Sequence, residues 1–147
     1  MDEPAKKGSR ISWVSWFALL AIIGIVAAVL IPAYGDYTHR SQASEAVMLL
    51  SAAKTPLAEY FADRRKWPKA LEEVAGQTSS KYTRSVVISR GAGGAGEIEL
   101  TATMKTEGVD RRVAGQTIRF FSKDGGRTWT CRPGTMPAKN LPGSCRD

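Results

Sequence analysis

Ionic side chains are missing from all 21 positions between Ile11 and Ile31, and the 147-residue chain holds one histidine and two cysteines. Each scarcity excludes something. A run without charge has no solvent face, so it cannot be an ordinary surface helix of a soluble protein. A single histidine, His39, leaves no histidine-based metal cluster, since zinc needs about four ligands, and its place just after the charge-free run speaks against a catalytic triad built on it. The length bounds the chain at one globular domain with a core that folds without several cross-links, and excludes a large multidomain enzyme. Averages conceal the asymmetry. With 43% hydrophobic and 24% charged residues the composition is ordinary, yet removing the charge-free run leaves a much more polar remainder, in a chain of 21 basic and 14 acidic residues and net charge +7.

The apolar run meets the requirement of roughly 20 residues to cross a hydrocarbon core, and its backbone must then bond internally as a helix. Lys6, Lys7 and Arg10 precede it, whereas the first charge after it is Asp36. That bias puts the amino terminus in the cytoplasm and exports everything after Pro32. Trp13 and Trp16 at one end, with Tyr34 and Tyr37 at the other, match the two headgroup layers. A cleaved secretory signal fits less well: its apolar core should be only about 7 to 15 residues and end in a small-residue site. Ala21, Gly24, Ala27 and Ala28 permit close approach of other helices.

Beyond Pro32 the helical period resumes to about Arg65, with Ala43, Val47, Leu50, Leu57 and Phe61 on one face and Lys54 snorkelling from the same stripe. As one helix from about Ser12 to Arg64 it would measure roughly 80 Å, so half must stand outside the bilayer. Pro32 marks a bend or loosening, Pro56 a milder break, and Trp67-Pro68 the end. His39 is expected to be solvated or at the headgroups.

From Lys81 the period changes. Ser85–Ser89, Glu97–Thr103, Gln116–Phe121 and Arg127–Cys131 read as four strands, with Lys123-Asp-Gly-Gly126 as a tight hairpin turn. Ile98, Leu100, Ala102 and Met104 alternate with polar residues, so one face of an antiparallel sheet is buried, and the amphipathic helix is available to cover it. The expected fold is α+β, a long helix whose outer half packs on a four-stranded sheet. The glycine tract Gly91–Gly96 lacks the Lys and Ser/Thr of a phosphate loop. Cys131 and Cys145 both fall on the exported, oxidising side and would close a 15-residue loop, worth about 3 kcal/mol in the chain-entropy picture.

The stretch Ala21-Ile-Ile-Gly-Ile-Val-Ala-Ala-Val-Leu-Ile-Pro-Ala-Tyr-Gly-Asp-Tyr37, then Ser41-Gln-Ala-Ser-Glu-Ala-Val47, resembles the helix motif of the type IV pilin family, specifically type IVa major pilins. Trp129-Thr-Cys131 with Leu141-Pro-Gly-Ser-Cys-Arg146 is similar to that family's terminal disulfide loop, which favours a pilin over the pseudopilins of secretion systems. The resemblance implies a subunit held in the bacterial inner membrane, extracted by an assembly machinery, and polymerised with identical or related subunits, helix inside and sheet outside. The leader departs from the family. Aligned on Pro32, Arg10 stands where a Gly precedes the cleavage point, Ile11 where a methylated Phe begins the mature chain, and Ser15 where a Glu is fifth; Gly8 lies two residues early. Three explanations stay open: processing at an unusual site, a membrane-anchored accessory protein, or a divergent copy without a fibre role.

The expected organisation is a leader-like tail (1–10), a transmembrane half-helix (11–31), an exported amphipathic half (32–66) and a loop plus sheet (67–147). A second function comes from a different class. Basic residues Arg64, Arg65, Lys66, Arg111 and Arg112, with Lys123 and Arg127, could hold phosphates, making a tethered DNA-binding module. No catalytic residues, cofactor, metal or small-molecule substrate are expected.

Overall fold

The computed structural model describes residues 12–146. The leader tail and Ile11, on which the processing expectations fall, lie outside them. Contacts divide the chain into two units, one reaching Asp36 and one starting at Tyr37.

In the first unit, helix α1 (Trp13–Ala52) begins where Ser12 accepts hydrogen bonds from the backbone N–H groups of Ser15 and Trp16 at 2.8 and 3.3 Å. Those bonds satisfy two of the donors that every helix start leaves open. The helix runs on through Pro32.

In the second unit, α1 continues to Ala52 and α2 (Lys54–Arg64) follows after one residue. Pro56 explains the interruption, because its ring has no N–H and crowds the carbonyl four residues earlier, that of Ala52. Bonds on either side persist: the Ala53 N–H donates to the Leu49 carbonyl and the Leu57 N–H to that of Ala53, both at 3.2 Å. Arg65 closes α2 in the left-handed region with φ of 57°. The sheet is a simple antiparallel meander of β1 (Thr83–Arg90), β2 (Ile98–Met104), β3 (Thr117–Ser122) and β4 (Thr130–Pro133). Ala43, Ala46, Leu50, Ala53 and Leu57 from the helices pack with Val86, Leu100, Ala102, Ile118 and Phe120 from the sheet. The fold is therefore α+β, with the later part of α1 and α2 covering one sheet face.

Two expectations need correcting. The fourth strand starts at Thr130, three residues later than Arg127, and residues 123–126 are not a tight hairpin, because the strands first pair at Phe121 and Thr130. Asp124 is the cause: its carboxylate accepts from the Ser122 hydroxyl at 2.9 Å and from the Thr128 N–H at 2.9 Å, and also from the Thr128 hydroxyl. Those bonds hold Arg127 and Thr128 in the loop. His39 is also not solvated; it is 2% exposed.

Candidate assembly site

Along the first unit the apolar side chains stand open all round the helix, from Trp13 at 73% exposure to Ile31 at 71%. Trp13 and Phe17 touch edge to face with centroids 5.9 Å apart. Ala21, Gly24, Ala28 and Pro32 are exposed and Ala27 is half-buried. A methyl group built on Gly24 would meet nothing within 4 Å. Such a surface is stable only when lipid or other helices cover it.

The second unit is closed. Leu50 and Leu57 are fully buried, Val47 and Phe61 partly. Phe61 stacks on Trp67 at 4.3 Å, and the Lys54 ammonium lies 4.5 Å from the Phe120 ring centroid, its charge set against the aromatic face. Buried polar groups tie distant segments together. The Gln42 side-chain carbonyl accepts from the Asp110 N–H at 2.8 Å, Asn140 donates to the Arg112 carbonyl at 3.1 Å, and Glu45 accepts from the Tyr82 N–H at 2.9 Å and from the Ser80 hydroxyl. Gln42, Asn140 and Glu45 were absent from the expected site, as was Asp124, which had a local signal: an acidic residue heading a glycine turn with a threonine four residues on.

Cys131 and Cys145 are bonded to each other, their Cα atoms 5.0 Å apart. The loop between them is anchored by Met136 and Leu141, both buried in the core. Hydrogen bonds from the Thr128 hydroxyl first, then from the Thr128 and Ser122 groups, lower the Asp124 pKa from 3.8 to about 2. Asp110 is also held below its usual range, mainly by the Arg112 N–H.

The five basic residues do not form one surface. Arg64, Arg65 and Lys66 stand at and just past the end of α2, whereas Arg111 and Arg112 adjoin Asp110, which is bonded to Gln42 in α1. Twenty-two residues of helix separate Gln42 from Arg64, roughly 30 Å at 1.5 Å each. Arg112 is further engaged with Asp110 at 3.2 Å. Among the described residues, no three His, Cys, Asp or Glu side chains gather as metal ligands would.

The family model for pilins, the subunits of bacterial filaments, matches residues 39–146. Over 146 aligned residues the chain is 32% identical to the type IV major pilin protein PilE of Neisseria gonorrhoeae, covering 82% of this chain and 83% of that one. The chain belongs to the type IV pilin family. Another pilin relative, the fimbrial protein EcpC of Eikenella corrodens, is 44% identical over 125 residues, covering 82% of this chain and 79% of its own. Fimbrial protein Q of Moraxella bovis is 32% identical over 138 residues, with 82% and 86% covered. This pilin is a structural subunit of a type IV pilus with an apolar amino-terminal helix. The tethered DNA-binding alternative is not favoured.

Proposed function

We propose that this pilin is held in the inner membrane by residues 11–31, with the tail 1–10 in the cytoplasm and residues 32–147 in the periplasm. The assembly machinery then moves it into a filament of identical or related subunits. One observation carries this reading: the helix from Trp13 to Ile31 is apolar on every side and open on every side. Exchanging lipid for flanking helices keeps that surface covered, so transfer into a filament conserves burial. Within such a bundle Ala21, Gly24, Ala27 and Ala28 allow close packing, while Pro32 and the core-facing stripe of Val47, Leu50, Leu57 and Phe61 belong to each subunit's own geometry. The orientation rests on Lys6, Lys7 and Arg10 standing before the run.

Intact mass and amino-terminal sequence, determined on protein from membranes and from sheared surface fibres, test the proposal. A shortened, methylated chain in fibres is the expected result. A chain beginning at Met1 and confined to membranes would overturn the filament step and leave an unprocessed anchor.

A further inference from the structure

The sheet face turned away from the helices carries an arrangement that filament assembly does not explain. Arg119 in β3 pairs directly with Arg132 in β4. Like charges directly across strands destabilise a sheet, so two guanidinium groups here need compensation. Both are held rather than free. Arg119 donates to the Pro133 carbonyl from Nε at 3.4 Å and Nη2 at 3.1 Å, and its Nη1 lies 3.6 Å from the buried Glu99 carboxylate. Arg132 lies over the Phe121 ring, 4.3 Å from its centroid. Glu99 stands against the Arg119 charge, and the Asp124 carboxylate at the neighbouring loop is taken up by the Ser122 hydroxyl and by the Thr128 N–H and hydroxyl. Beside Arg132 opens a cleft of about 120 Å³ lined by Phe121, Ser122, Lys123, Thr128, Thr130 and Arg132. Hydroxyl groups continue across the same face: Thr101 donates to Ser89 at 2.7 Å, and Thr117 and Thr135 stand 3.3 Å apart.

We propose that this face binds acidic polysaccharide, with Arg132 and Lys123 engaging a sulfate or carboxylate group and the flanking threonines bonding to sugar hydroxyls. A planar guanidinium recognises such an oxyanion through two parallel hydrogen bonds, and a side chain already stacked on a ring loses little further freedom on binding. Nucleic acid fits less well, because Phe121, the aromatic ring of this cleft, is capped by Arg132 and 8% exposed, which leaves no platform for a base.

The full-length chain in detergent, passed over immobilised heparin, hyaluronan and neutral dextran, tests the surface without requiring a fibre; only its display on a pilus rests on the filament reading. Retention on heparin, sulfated and carboxylated, or on hyaluronan, carboxylated only, is expected, and comparing the two columns identifies the oxyanion. Arg132→Gln should weaken that retention about tenfold, and Arg132→Lys, which keeps the charge but loses the fork, by less. Arg111→Gln with Arg112→Gln, beside Asp110 and Gln42 rather than at the 123–128 loop, should leave it within about twofold if the site is local rather than diffuse charge. Unchanged retention in Arg132→Gln would overturn the proposal. Equal loss in the Arg111/Arg112 variant, equal retention on dextran, or competition by duplex DNA as strong as by heparin at matched charge would do the same. Thermal melting of each variant separates lost binding from lost folding, and the Arg132→Lys comparison decides the matter if Arg132→Gln melts early.

Discussion

Helix α1 has two stretches with one backbone geometry and opposite relations to their surroundings. Up to Asp36 its apolar side chains have no periodicity and no cover; from Tyr37 on, they recur at three- and four-residue steps and vanish into a core. Periodicity reports which solvent a helix meets. A uniform surface suits a uniform environment, lipid or a bundle of like helices, whereas a stripe suits the boundary between a sheet and water.

The contrast can be broken most sharply by removing one side of it. A chain starting at Asp36 should be soluble and folded without detergent, checked by sedimentation and circular dichroism; persistent aggregation would mean that the second unit depends on the first. Leu57→Ala, or Leu50→Ala, should cost the second unit roughly 2 to 5 kcal/mol in denaturant unfolding, since both side chains are fully buried. Membrane association of the full chain should not change. Val26→Asp should behave in the opposite way, costing roughly 3 kcal/mol in a membrane-insertion assay while the melting of residues 36–147 stays put. Opening the disulfide with Cys131→Ser and Cys145→Ser together should cost about 3 kcal/mol, again confined to the second unit.

The smallest effect is one of pH. Because the folded-state pKa of Asp124 is lowered from 3.8 to about 2, its carboxylate contributes stability that is complete above 3.8 and lost as pH falls through about 2. Asp124→Asn should remove that part of the acid-induced fall in melting temperature. An identical acid profile for the variant would show that the carboxylate contributes nothing to the loop.

What could be read from the residues follows the range of the interactions concerned. The charge-free run, the alternation of Ile98, Leu100, Ala102 and Met104, and the Leu50 and Leu57 spacing are all local periodicities, and each has a direct counterpart in the structure. β4 starts later than its composition suggests, because the Asp124 bonds outweigh the weak strand preference of Arg127-Thr-Trp129. Gln42 and Asn140 lack a local signal for a different reason. Gln42 and Asp110 are 68 residues apart and Asn140 and Arg112 are 28 apart, and nothing in the neighbouring sequence marks either partner. Of the basic residues, Arg65 and Arg127 share one cleft, whereas Arg111 and Arg112 lie in the loop beside Asp110.

Every strand of the meander pairs with its neighbour in sequence, in the order β1-β2-β3-β4. Each hairpin closes over a short stretch of chain, so contact order within the sheet is low and its formation should be fast. A chain emerging amino end first can therefore zip its strands in the order they arrive, against a helix that precedes them all. The last strand and Cys145 come out last, so the covalent closure seals a sheet that is already in register and does not have to guide it.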